Sequence, residues 1–183
     1  MVCPWWLCYS FDNPLRRFFH PPAPLLAPFL KPGMIAVDIG CGMGYFTIAL
    51  ARLVGPGGRV IAVDLQQRML DALMRRAVHA GVADRITPHR CGKESLGFAG
   101  PVDFALAFWM AHEVPDKPRF FGEIFALLGP AGRLLLVEPK YHVSAGAFCR
   151  TVEMCREQGF SPTDEPAAAL SRAVLMGKGE SRR

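Results

Sequence analysis

The sequence predicts an α/β domain, a parallel sheet covered by helices, and three observations predict it. Short apolar runs alternate with amphipathic ones from residue 34 onward, the pattern of a strand followed by its covering helix. The run from Val102 to Trp109 is apolar on both faces, as a central parallel strand requires. At 183 residues, 51% apolar and 20% charged, the chain is long enough to bury one substantial core and short for two ordinary domains.

The elements follow in order. Met34 to Ile39 reads as the first strand, closed by glycines, and a helix from Tyr45 to Val54 ends at Gly55-Pro56-Gly57-Gly58, where glycine and proline break helical pairing. Arg59 to Leu65 is the second strand, and a helix from Gln66 to Ala80 stops at Gly81. Ile86 to Arg90 is a short third strand and Val102 to Trp109 the fourth. Lys117 to Leu128 is a helix ended by Gly129-Pro130, and Arg133 to Glu138 a fifth strand. Ser144 is placed to cap a helix running to Gln158, and two further strands are expected near Phe160 and from Leu170 to Met176. The expected organisation is an aromatic, proline-rich leader over residues 1–33, one domain over 34–178 and a polar tail over 179–183.

Composition narrows the setting. No run approaches the roughly 20 apolar residues that span a bilayer, because Pro21, Pro22, Pro24 and Pro28 punctuate the N-terminal candidate. Arg16 and Arg17 follow the first apolar stretch, the reverse of a secretory signal, so a cytoplasmic location is expected. The six cysteines (Cys3, Cys8, Cys41, Cys91, Cys149, Cys155) form no C-x-x-C pair, so no metal site is expected. Cys155 stands at helical spacing from Phe148, Thr151 and Val152, which places it in packing. The net charge of +5 would draw an acidic partner, but Arg16-Arg17, Arg75-Arg76 and the basic C-terminus are dispersed and read as solvated surface.

The stretch Val37-Asp38-Ile39-Gly40-Cys41-Gly42-Met43-Gly44-Tyr45 lies where a buried strand turns into a helix. Its glycines allow a tight turn and close approach of a ligand to the backbone. A second acid, Asp64, ends the next strand, well placed to accept hydrogen bonds from both hydroxyls of a ribose, so a nucleoside-bearing cofactor is expected. A dinucleotide loop has G-x-G-x-x-G, but position 45 is Tyr, and Asp38 would set a negative charge beside a pyrophosphate. The same acid suits a cationic ligand such as the amino group and sulfonium of S-adenosylmethionine.

VDIGCGMGYFT resembles motif I of the class I S-adenosylmethionine-dependent methyltransferases, and VIAVDLQQRML is similar to the strand and acidic turn that follow it there. VDFALAFWMAHEVPDKPRFFGEIFALLGPAGRLLLVEP resembles the fourth and fifth strands of the methyltransferase type 11 (UbiE-like) group, the likeness covering residues 33–178. The resemblance implies a Rossmann-like three-layer sandwich with a seven-stranded sheet of order 3-2-1-4-5-7-6, strand 7 antiparallel. It implies S-adenosylmethionine as donor and S-adenosylhomocysteine as product. Gly40, Gly42 and Gly44 would line the methionine portion and Asp38 would lie near its amino group, with Asp64 on the ribose and Leu65 beside the adenine, and Cys41 and Tyr45 of the same loop would belong to the cofactor site. Phe108 and Trp109, leaving the fourth strand, would sit near the donor and acceptor pocket, with ordinary core packing as the other reading of these aromatics. Where family members often have Gly-Asp-Ala, this chain has Cys91-Gly92-Lys93, so backbone groups around Gly92 and Lys93 would have to replace the side-chain contact to adenine.

Methyl transfer from a sulfonium is an in-line displacement that needs alignment and exclusion of water more than strong acid or base. For a hydroxyl or amine acceptor, His112 is the candidate general base, following the fourth strand's tip, with Glu113 and His142 behind it. Trp5, Trp6, Tyr9, Phe11, Phe18 and Phe19 in the leader suit a lid over an apolar acceptor, and equally a packed arm, a homodimer contact or a membrane-surface toe. With no domain inserted between the strands, a small-molecule acceptor is expected. An RNA methyltransferase is a second reading, but Phe108-Trp109-Met110-Ala111 stands where an Asn/Asp-Pro-Pro-aromatic motif would. A protein that binds the cofactor without turnover is the third.

Overall fold

The computed structural model describes residues 20–179. The leader aromatics up to Phe19 and the end of the tail, residues 180–183, lie outside the described residues. Helix α1 (Pro22–Leu26) opens the described chain and runs into a 3-10 turn, Ala27–Phe29. Strand β1 (Ile35–Ile39) leads to α2 (Tyr45–Val54), β2 (Arg59–Asp64) to α3 (Gln67–His79), and β3 (Ile86–Arg90) to β4 (Val102–Phe108). Helix α4 (Lys117–Leu127), β5 (Leu128–Pro139), α5 (Ala145–Glu157), β6 (Phe160–Asp164) and β7 (Ser171–Lys178) complete it.

The seven strands form one sheet in the order β3-β2-β1-β4-β5-β7-β6. Strand β1 pairs in parallel with β2 and β4, while β7 runs antiparallel to β5 and β6. The order and the single reversal are those the resemblance implied.

Alternating side chains on the central strands feed two cores, which is why those strands are apolar throughout. Leu135 and Val137 of β5, with Ala36 and Leu106, pack under α1, α2 and α3 through Leu26, Leu50, Leu70 and Leu73. Leu134 and Leu136, with Val37, Ala105 and Ala107, pack under α4 and α5 through Phe121, Ile124 and Cys155. Cys155 is fully buried, as its helical spacing predicted, and burial pushes its thiol up to about 12. Asp116 and Ser144 cap α4 and α5 by accepting the N–H groups of Arg119 and Ala147.

One strand begins earlier than expected. Strand β5 begins at Leu128, not Arg133, because Leu128 pairs with Val102 before the register shifts to Arg133 opposite Phe104. The expected break at Gly129-Pro130 survives as a bulge, tight enough that a side chain on Gly132 would sit 2.9 Å from the Gly129 carbonyl. The described part of the leader is packed into the domain: Leu26, Phe29 and Leu30 are buried and belong to the first core. Their i, i+3, i+4 spacing is the apolar stripe of a helical turn, and for these residues the packed arm is the arrangement observed.

Candidate functional site

The C-terminal ends of β1, β2, β4 and β5 meet at one cleft of ≈ 1160 Å³. At the β1 tip, Gly40 N and Cys41 N both donate to Val63 O, at 2.9 and 3.0 Å, which swings the loop across the end of β2. There the Asp64 carboxylate accepts from Gly42 N at 3.0 Å and from Gln66 N at 2.8 Å. Burial raises the pKa of Asp64 above its ordinary 3.8, and the Gln66 and Gly42 N–H groups pull it back down. Asp38, 3% exposed, accepts from Thr47 Oγ1 of α2 at 2.6 Å. A buried carboxylate aimed at the cleft from a strand end is a site for a cation.

The loop glycines divide the work. Gly42, at φ 52°, has open space where a Cβ would lie, and it lines the cleft. Gly44, at φ 83°, is the residue before α2, and a Cβ there would meet Leu73 Cγ at 2.7 Å. It is placed for helix packing and is absent from the cleft wall, unlike Gly40 and Gly42. Cys41 and Cys91 line the cleft as thiols. Burial and then the charges of Asp38 and Asp64 hold Cys41 well above the ordinary thiol range, and burial pushes Cys91 up to about 11. Leu65, Gly92 and Lys93 also line it, but Gly92 gives its N–H to Ser95 O at 3.1 Å, so that backbone donor is already committed.

The opposite wall is made by side chains. Trp109 turns off the tip of β4 with φ 57°, a left-handed conformation unusual for a bulky residue. Its N–H donates to Val137 O at 2.8 Å and its Nε1 to Ser171 Oγ at 2.9 Å. Its indole meets the rings of His20, Phe108 and Tyr141 at 4.9, 5.4 and 5.6 Å. His20 is buried, its Nε2 is 2.6 Å from Ala169 O, and its carbonyl accepts from Tyr45 OH at 2.9 Å. The Tyr45 hydroxyl thus ties the incoming chain to the glycine loop.

His112 stands on a 3-10 turn, Ala111–Glu113, past the β4 tip. Its backbone N donates to Glu138 Oε1 at 3.0 Å, and its Nδ1 lies 2.5 Å from Glu138 Oε2. Glu138 is 2% exposed. The His142 ring lies 4.7 Å from that of His112, and Glu113 shares the cleft. Sequence reasoning missed Glu138 and Thr47. For Glu138 a signal was present, since an acid directly after the apolar run Leu134–Val137 repeats the pattern of Asp38 and Asp64.

The site fits S-adenosylmethionine on two observations: bare backbone at Gly42 leaves room for a ligand against the loop, and the carboxylates of Asp38 and Asp64, groups suited to a cation and to ribose hydroxyls, line the same cleft. Among the described residues no cluster of metal-binding side chains occurs and no helix is long and apolar enough to cross a membrane. A seven-stranded sheet of this order, with a glycine loop and an acid at the end of β2, defines a class I methyltransferase fold. The chain belongs to the methyltransferase domain family, whose model matches residues 36–132. It is 32% identical over 131 residues to nocamycin O-methyltransferase of Saccharothrix syringae, covering 70% of this chain and 47% of that protein. It is 33% identical over 109 residues to demethylmenaquinone methyltransferase of Symbiobacterium thermophilum, covering 59% of this chain and 43% of that protein. The chain therefore spans less than half the length of these two relatives. An S-adenosylmethionine-dependent methyltransferase from Aquifex aeolicus shares the fold with a TM-score of 0.86 at 20% identity, over 96% of this chain and 98% of that one.

Proposed function

We propose that the chain transfers a methyl group from S-adenosylmethionine to a small-molecule acceptor. The observation that carries this reading is a cleft with two unlike walls: backbone and carboxylates at the ends of β1 and β2, aromatics and a histidine at the ends of β4 and β5. The donor supplies a methyl group already activated on a sulfonium. Asp38 and Asp64 hold its charged and ribose ends, the loop at Gly42 lets it lie against the backbone, and Phe108 and Trp109 close the far side against water. His112 stands where an acceptor's proton would leave.

Charge separates the acceptor classes. In a chain of net charge +5, the cleft is lined by Asp38, Asp64, Glu94, Glu113, Asp116 and Glu123 against Lys93 and Arg119. Arg119 is paired with Glu123 at 3.5 Å. A polyanion meets repulsion at such a mouth, so a neutral or cationic small molecule is favoured over RNA. The two relatives, named for a nocamycin and a menaquinone precursor, support the same choice.

Calorimetry with S-adenosylmethionine and S-adenosylhomocysteine, on the native chain and Asp64→Ala, tests the donor. Loss of two charge-assisted hydrogen bonds is expected to cost about 3 kcal/mol, roughly a hundredfold in affinity. A folded native chain that binds neither compound overturns the reading. Binding without product from any member of a broad acceptor panel favours a binding protein without turnover.

A further inference from the structure

We propose that Glu138 is a positioning residue that fixes His112 with its proton on Nδ1 and a lone pair on Nε2, and that the acceptor is therefore a molecule whose nucleophilic atom still carries its proton, a hydroxyl, thiol or amine N–H. This rests on the methyl-transfer reading for its acceptor and on the geometry alone for its tautomer.

The geometry is a two-point grip. A carboxylate has acceptor oxygens only. One oxygen of Glu138 takes the backbone N–H of His112 at 3.0 Å and the other faces Nδ1 at 2.5 Å. Nδ1 must supply the hydrogen, so in the neutral ring Nε2 is the unprotonated nitrogen. The grip sets ring orientation as well as tautomer, because the same carboxylate holds main chain and side chain together. Glu138 is 2% exposed and is the penultimate residue of β5, in which Leu134 to Val137 before it are all fully buried, so its position is set by the sheet. His112 lines the cleft, and with Nδ1 occupied, Nε2 is the nitrogen left to meet a ligand there.

Such a base has a use when the acceptor arrives protonated. In the transfer, the acceptor's oxygen, sulfur or nitrogen forms a bond to the methyl carbon. The carbon–sulfur bond breaks with its electron pair remaining on sulfur, which leaves a neutral thioether. The acceptor's proton passes to Nε2, and the imidazolium so formed is stabilised by the Glu138 carboxylate before it returns the proton to solvent. An acceptor lacking that proton, such as a tertiary amine, would gain nothing from the pair.

Replacement by the amide makes a definite prediction. In Glu138→Gln the side chain has one acceptor and one donor end. The His112 backbone N–H can only donate and so claims the amide oxygen, which turns the NH2 group toward Nδ1. The ring must then accept at Nδ1 and carry its proton on Nε2, the wrong tautomer for a base. Glu138→Asp keeps an acceptor-only group and the native tautomer.

The experiment is a long-range proton–nitrogen NMR spectrum of the full chain labelled with 15N-histidine, at a pH where the ring is neutral, with His112 assigned by its loss in His112→Asn. The expected result is Nδ1–H in the native chain, Nε2–H as the majority form in Glu138→Gln, and Nδ1–H again in Glu138→Asp. Nε2–H in the native chain, or an unchanged tautomer in a folded Glu138→Gln, overturns the proposal; if that variant does not fold, the native spectrum alone decides. With any protonated acceptor found by screening, Glu138→Gln is expected to lower turnover on the order of 10²–10⁴-fold, with partial recovery in Glu138→Asp. Failure of the native chain to bind S-adenosylhomocysteine would sink the methyl-transfer reading while leaving the tautomer result to stand or fall by itself.

Discussion

The chain leaves the tips of β1 and β4 through left-handed backbone, but with glycine at one and tryptophan at the other: Gly40 at φ 72° and Trp109 at φ 57°. Both turns face the same cleft, and the difference shows what each wall is for. At β1 the backbone itself is the wall, bare of side chains at Gly40 and Gly42, while Gly44 serves the packing of α2 against Leu73. At β4 the side chain is the wall. An indole placed there keeps its Nε1 bonded to Ser171 and its ring against His20, Phe108 and Tyr141, contacts that offset a strained backbone.

The largest expected effect breaks the first wall into its two functions. Gly44→Ala puts a Cβ 2.7 Å from Leu73 Cγ at φ 83°. Backbone strain and overpacking together should cost about 3 kcal/mol, a fall in melting temperature of roughly 6–12 °C for a chain this size. Gly42→Ala, with open space at its Cβ, should cost only the strain, about 1 kcal/mol, while its methyl group projects into the cleft and weakens S-adenosylhomocysteine binding on the order of tenfold, about 1.4 kcal/mol. Thermal melts and calorimetry on the pair check the division; equal melting temperatures would erase it.

Acid should sharpen the contrast between the walls, since the proposed function sets Asp64 on the donor side. Its carboxyl keeps its proton to higher pH in the fold than the ordinary 3.8. The native state therefore gains from the protonated form at low pH and loses that contribution as pH rises through the raised range. Donor binding runs the other way, because only the carboxylate accepts from both ribose hydroxyls. Affinity for S-adenosylhomocysteine is expected to fall as pH drops through that range, by at most about tenfold per unit. Asp64→Asn should bind weakly with a flatter profile, and an unaltered slope in that variant would assign the pH dependence elsewhere.

The two walls were unequally legible. Asp38 to Tyr45 and Asp64 to Leu65 are local runs at strand ends, so strand, turn and acid could be read together, and the structure brings all of them except Gly44 to the cleft wall. The other wall includes Trp109 and Tyr141, and the residues that hold it, His20, Glu138 and Ser171, come from the start of the described chain, β5 and β7, far apart in sequence. His112 was readable as a candidate by its place after β4. Glu138 carried a signal of its own, but its pairing with His112 did not, because pairing across strands requires the strand order before any residue can be matched to another.

Trp109 offers the finest test, one that separates its backbone from its ring. Trp109→Gly and Trp109→Ala lose the same indole, the same bond to Ser171 and the same ring contacts, and differ only in a Cβ. In an extended strand or a helix, alanine is the more stable of the two, because glycine's freedom in the unfolded chain has to be given up. At φ 57° the sign should invert: alanine bears left-handed strain of about 1–2 kcal/mol, more than the roughly 0.4–1 kcal/mol glycine loses through the unfolded state. The glycine variant is therefore expected to be more stable by about 0.5–1 kcal/mol by denaturant titration. Ala107→Gly, buried in the extended part of β4, supplies the control with the ordinary sign. If Trp109→Gly is no more stable than Trp109→Ala, the turn at β4 carries no strain, and the tryptophan is held there by its contacts without opposing any backbone preference.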